Sequence, residues 1–268
     1  MIIFNDIIGK KLINARDIGG LKTADGKKIV KGRLIRSGRI ADIPESTVKI
    51  IKKLGVKTII DLRTGTECSD HPGKDIDGIE RLKLPTVTTV TDVINDERTM
   101  RLTMKRESER LNVEFGSAKE YMAEMYRSVV FNDEPKQSLK TFFKAVAQAD
   151  DPVIWHCTSG KDRTGICAML LESVLGVEEK DIYSDYLYSN ARLFRRNVFL
   201  TFVLMISPFK MRFKKLLISY LSVKKEYLQG IIEELKEKYG SVTAYCKKEL
   251  GVTDEDVFIL KSKYLVEA

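Results

Sequence analysis

The sequence predicts an α/β layer fold in which helices flank a central, largely parallel sheet. Two observations carry that prediction. Strand-like runs, VKTIIDLR (Val56–Arg63), GRLIRSGRI, GIERLKLPTV and PVIWHC, are rich in β-branched and aliphatic residues. They alternate along the chain with helical patterns, as parallel pairing requires. With 268 residues and 43% hydrophobic content there is ample material for a core. The chain has neither an internal repeat nor a Pro-rich linker, so one domain over residues 1–268 is expected.

The elements follow in order. PESTVKIIKKLG reads as a helix that stops at Gly55 and feeds the strand Val56–Arg63. Asn95–Glu109 is dense in charge and reads as a mobile connection or an exposed helix. SAKEYMAEMYRSVV and KQSLKTFFKAVAQA have helical patterns, PVIWHC is the most strand-like run of all, and a helix is expected after Gly165. The segment from Arg192 to Tyr227 reads as a helical insertion on the domain. Its apolar part, VFLTFVLMISPF (Val198–Phe209), is too short to cross a bilayer. Beyond it Phe209, Phe213, Leu216, Leu217 and Tyr220 recur at helical spacing, with Lys210, Lys214 and Lys215 between them. Two readings fit: a core-packing helix with a solvated basic face, or a lid that also touches anionic membrane.

Composition narrows the function. Four cysteines without paired spacing, Cys68, Cys157, Cys167 and Cys246, read as reduced thiols in a cytoplasmic-type chain. Two histidines, His71 and His156, argue against a histidine-rich metal centre, and no metal or cofactor is expected. The start, MIIFNDIIGKK, lacks the pattern of a signal peptide. Of the net charge of +8, nine basic and no acidic residues lie between Arg192 and Lys225. The basicity is therefore local, which suits a local anionic partner and not general nucleic-acid coating.

Chemistry is concentrated in PVIWHCTSGKDRTG (Pro152–Gly165). A strand, a tight loop and a helix start direct several backbone N–H groups and the helix dipole at one point, a cradle for a tetrahedral anion. Thr158, Ser159, Gly160 and Lys161 form the body of that cradle, and Gly160 permits the turn. Arg163 offers a planar fork for two phosphate oxygens. Cys157 opens the loop in a field that favours the thiolate, the nucleophilic form of sulfur. Together these parts describe phosphoryl transfer to Cys157, a carboxylic acid protonating the leaving oxygen, and water hydrolysing the phosphocysteine. Thr164 can donate a hydrogen bond to the departing sulfur, and His156 can orient the loop.

HCTSGKDRTG is similar to the signature loop of cysteine-dependent phosphatases, and its GKDR core resembles the bacterial tyrosine and lipid phosphatases of the triple-specificity type. NARDIGG (Asn14–Gly20), GRLIRSG (Gly32–Gly38), IIDLR (Ile59–Arg63), DYLYSN (Asp185–Asn190) and YGSVTAYCKKELGVTDEDV (Tyr239–Val257) resemble the other motifs of that family, in the same order. The resemblance implies a protein-tyrosine-phosphatase-like fold with a helical cover. It also implies activity on phosphotyrosine, sometimes phosphoserine or phosphothreonine, and phosphoinositides. By it Cys157 is the nucleophile, Arg163 the phosphate clamp, Lys161 a charge facing the substrate and Asp162 the general acid. If the acid instead sits on a separate loop, Asp92, Asp96 and Asp133 are the candidates. Arg16 and Asp61 read as structural support, with a place near the pocket as the alternative. The rival functions are a rhodanese-like sulfurtransferase and a phosphoinositide-binding module without turnover.

Overall fold

The computed structural model describes residues 12–86, 118–207 and 211–267. Asn95–Glu109, Asp92 and Asp96 lie outside the described residues. The first half of the chain gives β1 (Arg16–Asp17), β2 (Lys27–Ile29), β3 (Leu34–Ser37), α1 (Glu45–Lys53), β4 (Thr58–Asp61), α2 (Gly65–Asp70) and β5 (Glu80–Lys83). Then come α3 (Ala118–Phe131), α4 (Asp133–Gln148), β6 (Val153–His156), α5 (Arg163–Leu175), α6 (Glu179–Ile206) and α7 (Met211–Leu221). The chain finishes with α8 (Lys225–Tyr239), α9 (Val242–Leu250), α10 (Asp254–Tyr264) and β7 (Leu265–Glu267).

Five strands form one sheet in the order β1-β3-β6-β4-β5. β3, β6, β4 and β5 are mutually parallel, and β1 adds antiparallel at one edge. β6 is central and wholly buried, which is why VIWH reads as a continuous apolar run and not as an alternating one. Its side chains nonetheless alternate between faces. Val153 and Trp155 enter the large core with α3, α4 and α5, whereas Ile154 joins Ile35, Ile59 and Ile51 in the smaller core under α1. β5, at the edge, keeps Glu80 and Lys83 in water. β2 and β7 make a separate two-stranded ribbon.

Register positions the site. Ser37 lies opposite His156, His156 opposite Asp61, and Asp61 opposite Lys83, so the carboxyl ends of four parallel strands finish level. The loops after β3, β4 and β6 therefore emerge side by side, at the end of the sheet where α/β proteins build their sites.

Several elements differ from expectation for identifiable reasons. α4 starts at Asp133, ahead of the KQSLK pattern, because Pro135 falls in the first turn, where a missing N–H is not needed for the ladder. Arg192 is no boundary: α6 runs unbroken through 28 residues, so the basic segment is the second half of a core helix followed by α7. The two described lysines of α7 part ways: Lys215 is exposed, in keeping with a solvated basic face, and Lys214 is not. Phe194, Phe199 and Phe202 are exposed, while Lys214 is buried with its Nζ donating to the Met205 carbonyl at 2.7 Å.

α5 is buried on every side and ends at Gly176 in the left-handed conformation. Its one carboxyl, Glu172, has both oxygens buried without a hydrogen-bond partner. Burial, then the neighbouring Asp185 charge, push it well above the ordinary carboxyl range, so it is held protonated. The folded state thus keeps a proton that the unfolded chain releases near its ordinary 4.5. This group's contribution is most favourable below that pH and declines as pH rises. Glu172→Gln, neutral at every pH, is expected to gain in Tm relative to the parent between about pH 5 and about pH 8. A Tm difference that stays flat across that range contradicts the assignment.

Candidate active site

The loop of residues 157–162 leaves β6 and enters α5. Cys157 is buried, and its Sγ accepts a hydrogen bond from the Gly160 N–H at 3.3 Å. Gly160 has φ of +69°, and a Cβ there would lie 2.5 Å from the Ser37 and Gly38 backbone. Both the turn and the close approach of β3 exclude a side chain.

The loop's carbonyls are turned outward and held. Asn14 Nδ2 donates to Gly160 O at 2.7 Å and to Ser159 O at 3.3 Å. The Arg36 guanidinium donates to Gly160 O at 3.2 Å and Lys161 O at 3.3 Å. Both holders are themselves held. Arg16 donates to Asn14 Oδ1 at 2.8 Å, to Asp185 Oδ1 at 2.7 Å and to Ser189 Oγ at 3.1 Å, and Arg36 pairs with the second oxygen of Asp185. Three motifs far apart in sequence, NARDIGG, GRLIRSG and DYLYSN, thus meet beneath one loop, and Arg16 acts here as support.

Arg163 is fixed by a residue that sequence reasoning missed. Glu67 accepts from both ends of its guanidinium, at 2.5 and 2.6 Å, and from the Thr158 hydroxyl. Glu67 is placed by its capping box with Thr64 at the start of α2. The sequence does carry that signal, as Thr64-x-x-Glu67 directly after a strand. Burial raises the Glu67 carboxyl, but Arg163 and the hydroxyl and amide donors more than offset this and hold it at about 2. The pair therefore persists at all ordinary pH. Its stabilisation is complete above the unfolded value of 4.5 and is lost as pH falls through about 2.

Behind the loop, His156 is wholly buried, with Nδ1 3.1 Å from the Cys157 carbonyl and Nε2 3.2 Å from Arg81 Nη1. Since Arg81 can only donate, the His156 proton is assigned to Nδ1, which donates to the loop carbonyl. Burial lowers the imidazole to about 4, so it is neutral at neutral pH. Asp61 lies 3.6 Å from His156 and from Arg81 and takes a two-pronged bond from Arg63 at 2.7 and 2.9 Å. Asp61 thus braces the strand ends through Arg63, Arg81 and His156. Arg81 is a second residue the sequence did not single out; on an edge strand full of charge it has no distinguishing pattern.

Asp162 is tethered by two donors, the Tyr126 hydroxyl at 2.8 Å and Lys161 Nζ at 2.5 Å. Tyr126 is also 2.5 Å from the Tyr186 hydroxyl. The charge of Lys161 is thus engaged within the loop. Asp133, the other described acid candidate, is solvent-exposed on α4 against Lys136. Thr164 Oγ1 is buried without a hydrogen-bond partner and does not bond the sulfur, while its carbonyl accepts from Trp155 Nε1 at 3.2 Å. Ser159 Oγ accepts from Arg196 of α6 at 3.2 Å. Cys167 and Cys246 are core residues whose thiols burial pushes up; Cys68 is half-buried, 3.8 Å from Asp61.

A buried sulfur that accepts a loop amide at a helix N-terminus, near an arginine clamped by Glu67, is an arrangement suited to phosphoryl transfer. Residues 9–266 match the Tyrosine phosphatase family. The chain belongs to that family of phosphoric monoester hydrolases. It is 29% identical to H16_A0669 of Cupriavidus necator over 97% of this chain and 89% of that one; that protein's own assignment as a tyrosine-protein phosphatase is provisional. It is 27% identical to the triple specificity protein phosphatase PtpB of Mycobacterium tuberculosis, over 91% of this chain and 93% of that one. A tyrosine-protein phosphatase of Nostoc commune matches at 30% over 58% of this chain and 47% of that one.

Two substitutions test the geometry. Glu67→Gln removes one partner of a buried ion pair, which costs about 3–5 kcal/mol of stability. With Arg163 no longer aligned, turnover of a generic aryl phosphate is expected to fall about 10²-fold. Chemical denaturation and steady-state kinetics read the two effects. Gly160→Ala is expected to abolish turnover, because the loop must move away from β3 to admit the methyl group; a variant with parental activity contradicts this packing.

Proposed function

We propose that the protein is a cysteine-dependent phosphatase that hydrolyses phosphotyrosine and phosphoinositides, with phosphoserine and phosphothreonine as further substrates. The observation that carries the reading is the Gly160 N–H aimed at Cys157 Sγ beside an Arg163 fork fixed by Glu67. Cys157 Sγ attacks phosphorus as the bond to the leaving oxygen breaks. The loop amides of Thr158 to Lys161 and Arg163 bind the equatorial oxygens. Asp162 gives its proton to the leaving oxygen and then takes one from the water that cleaves the S–P bond, which releases phosphate and restores the sulfur. Thr164, with its hydroxyl unengaged, donates to sulfur as it leaves. Tyr126 holds the Asp162 carboxyl in place.

Phosphoinositides are supported by Arg196. Its guanidinium touches the loop at Ser159 and makes no ion pair with a described carboxylate, whereas Lys161 is engaged by Asp162. A cation at the rim suits a second phosphate beside the one being hydrolysed.

Cys157→Ser is expected to abolish hydrolysis of an aryl phosphate yet retain phosphate binding, and acid quench of the parent during turnover should trap phosphorus on Cys157. Asp162→Asn should lower kcat about 10²–10⁴-fold for a poor leaving group, and much less for a good one. Equal losses on both substrates would remove Asp162 as the acid. Arg196→Ala should lower kcat/KM for an inositol bisphosphate lipid about tenfold more than for a phosphotyrosine peptide, the ~1.4 kcal/mol scale of one charge-assisted hydrogen bond. Thiosulfate sulfurtransferase activity without phosphatase activity would favour sulfur transfer instead.

A further inference from the structure

Helix α6 is amphipathic in the wrong sense for a helix facing water. Leu193 and Leu204 turn into the protein, while Phe194 (64% exposed), Val198 (53%), Phe199 (64%), Phe202 (63%), Met205 (47%) and Ile206 (69%) face outward. At 100° per residue these six fall within an arc of about 140° on one side of the helix. Met211, the first residue of α7, is also exposed, at 53%. A contiguous apolar face of this size on a soluble domain marks an interaction surface.

The face is built rather than frayed. Asn190 bonds both the N–H and the carbonyl of Val223, at 2.9 and 2.8 Å, and Asn197 donates to the Leu221 carbonyl at 2.6 Å. These bonds tie the returning chain back onto α6. At the other end Lys214 caps the Met205 carbonyl. The two helices are therefore tied together at both ends, with Phe194, Phe199 and Phe202 left outside.

We propose that this face docks on an anionic membrane surface, with the phenylalanines in the acyl–headgroup boundary and the surrounding cations on acidic headgroups. Charge selects the occupant. Residues 192–225 hold nine basic and no acidic residues, and exposed Arg195 and Lys215 lie on the two helices of the patch. A second copy apposed through the same face would bring two such segments together without one carboxylate between them. A leaflet containing acidic lipid supplies both the apolar depth and the opposite charge. Among the described residues no helix is long and apolar enough to cross a membrane, so the contact is peripheral. Arg196 of the same helix reaches Ser159 in the loop, so docking brings the catalytic mouth to the lipid surface. Docking does not rest on the catalytic reading, because it concerns a face that carries none of the reacting groups.

The test is co-sedimentation of the full chain with vesicles of phosphatidylcholine alone and of phosphatidylcholine mixed with phosphatidylserine. Binding is expected at least about tenfold tighter on the acidic vesicles and should weaken with added salt. Phe199→Ser with Phe202→Ser should weaken it about tenfold or more, while the melting transition and hydrolysis of a soluble aryl phosphate stay parental. Equal binding to both vesicles, binding to neither, or undiminished binding by the double variant overturns the proposal. So does a dimer that the double variant dissolves in the absence of vesicle binding.

Discussion

A short loop can present its amides to an anion only if its carbonyls have somewhere else to go. Here the carbonyls of Ser159, Gly160 and Lys161 are held from outside by Asn14 and Arg36. The loop's anion-facing geometry follows from that restraint. With the carbonyls bonded, the Gly160 N–H is left to point at Cys157, and the start of α5 adds its dipole in the same direction. Without it, the loop has no reason to prefer the anion-binding arrangement over one in which its amides bond each other.

The restraint is costly, because it places two guanidinium groups in a dry interior. Asp185 answers both, and Glu172, protonated, fills the same region without adding a negative charge. A second buried set, Asp61 with Arg63, Arg81 and a neutral His156, locks the strand ends behind Cys157. The third, Glu67 with Arg163 and Thr158, ties Arg163 and the loop to the helix after β4. Each set links an element of the sheet's carboxyl edge to the next, so the site and the fold share the same bonds. A loop preorganised in this way would meet an anion without rearranging.

The outer half of α6 follows a different logic. Its first half supplies Asp185, Tyr186 and Ser189 to the core, while its second half exposes aromatic residues to the outside. One continuous helix thereby joins the supports of the loop to a surface suited to an anionic interface.

What the sequence determined by itself was local. The alternation of apolar runs specifies the parallel layer fold, and the strand–loop–helix continuity of residues 152–165 puts a cysteine, a permissive glycine and an arginine on one short loop, although the inward turn of its amides waits on Asn14 and Arg36. Five motifs in order were legible as a family pattern, but their work was not: nothing in NARDIGG or DYLYSN says that Asn14 and Asp185 meet the same loop. Glu67 had a readable cap signal in Thr64-x-x-Glu67, yet its pairing with Arg163 depends on β4 and β6 ending level. Only tertiary structure decided those partnerships, together with the outward turn of the α6 phenylalanines. The direction in which a side chain faces depends on which neighbours the sheet brings within a few ångströms, and separation along the chain carries no record of that.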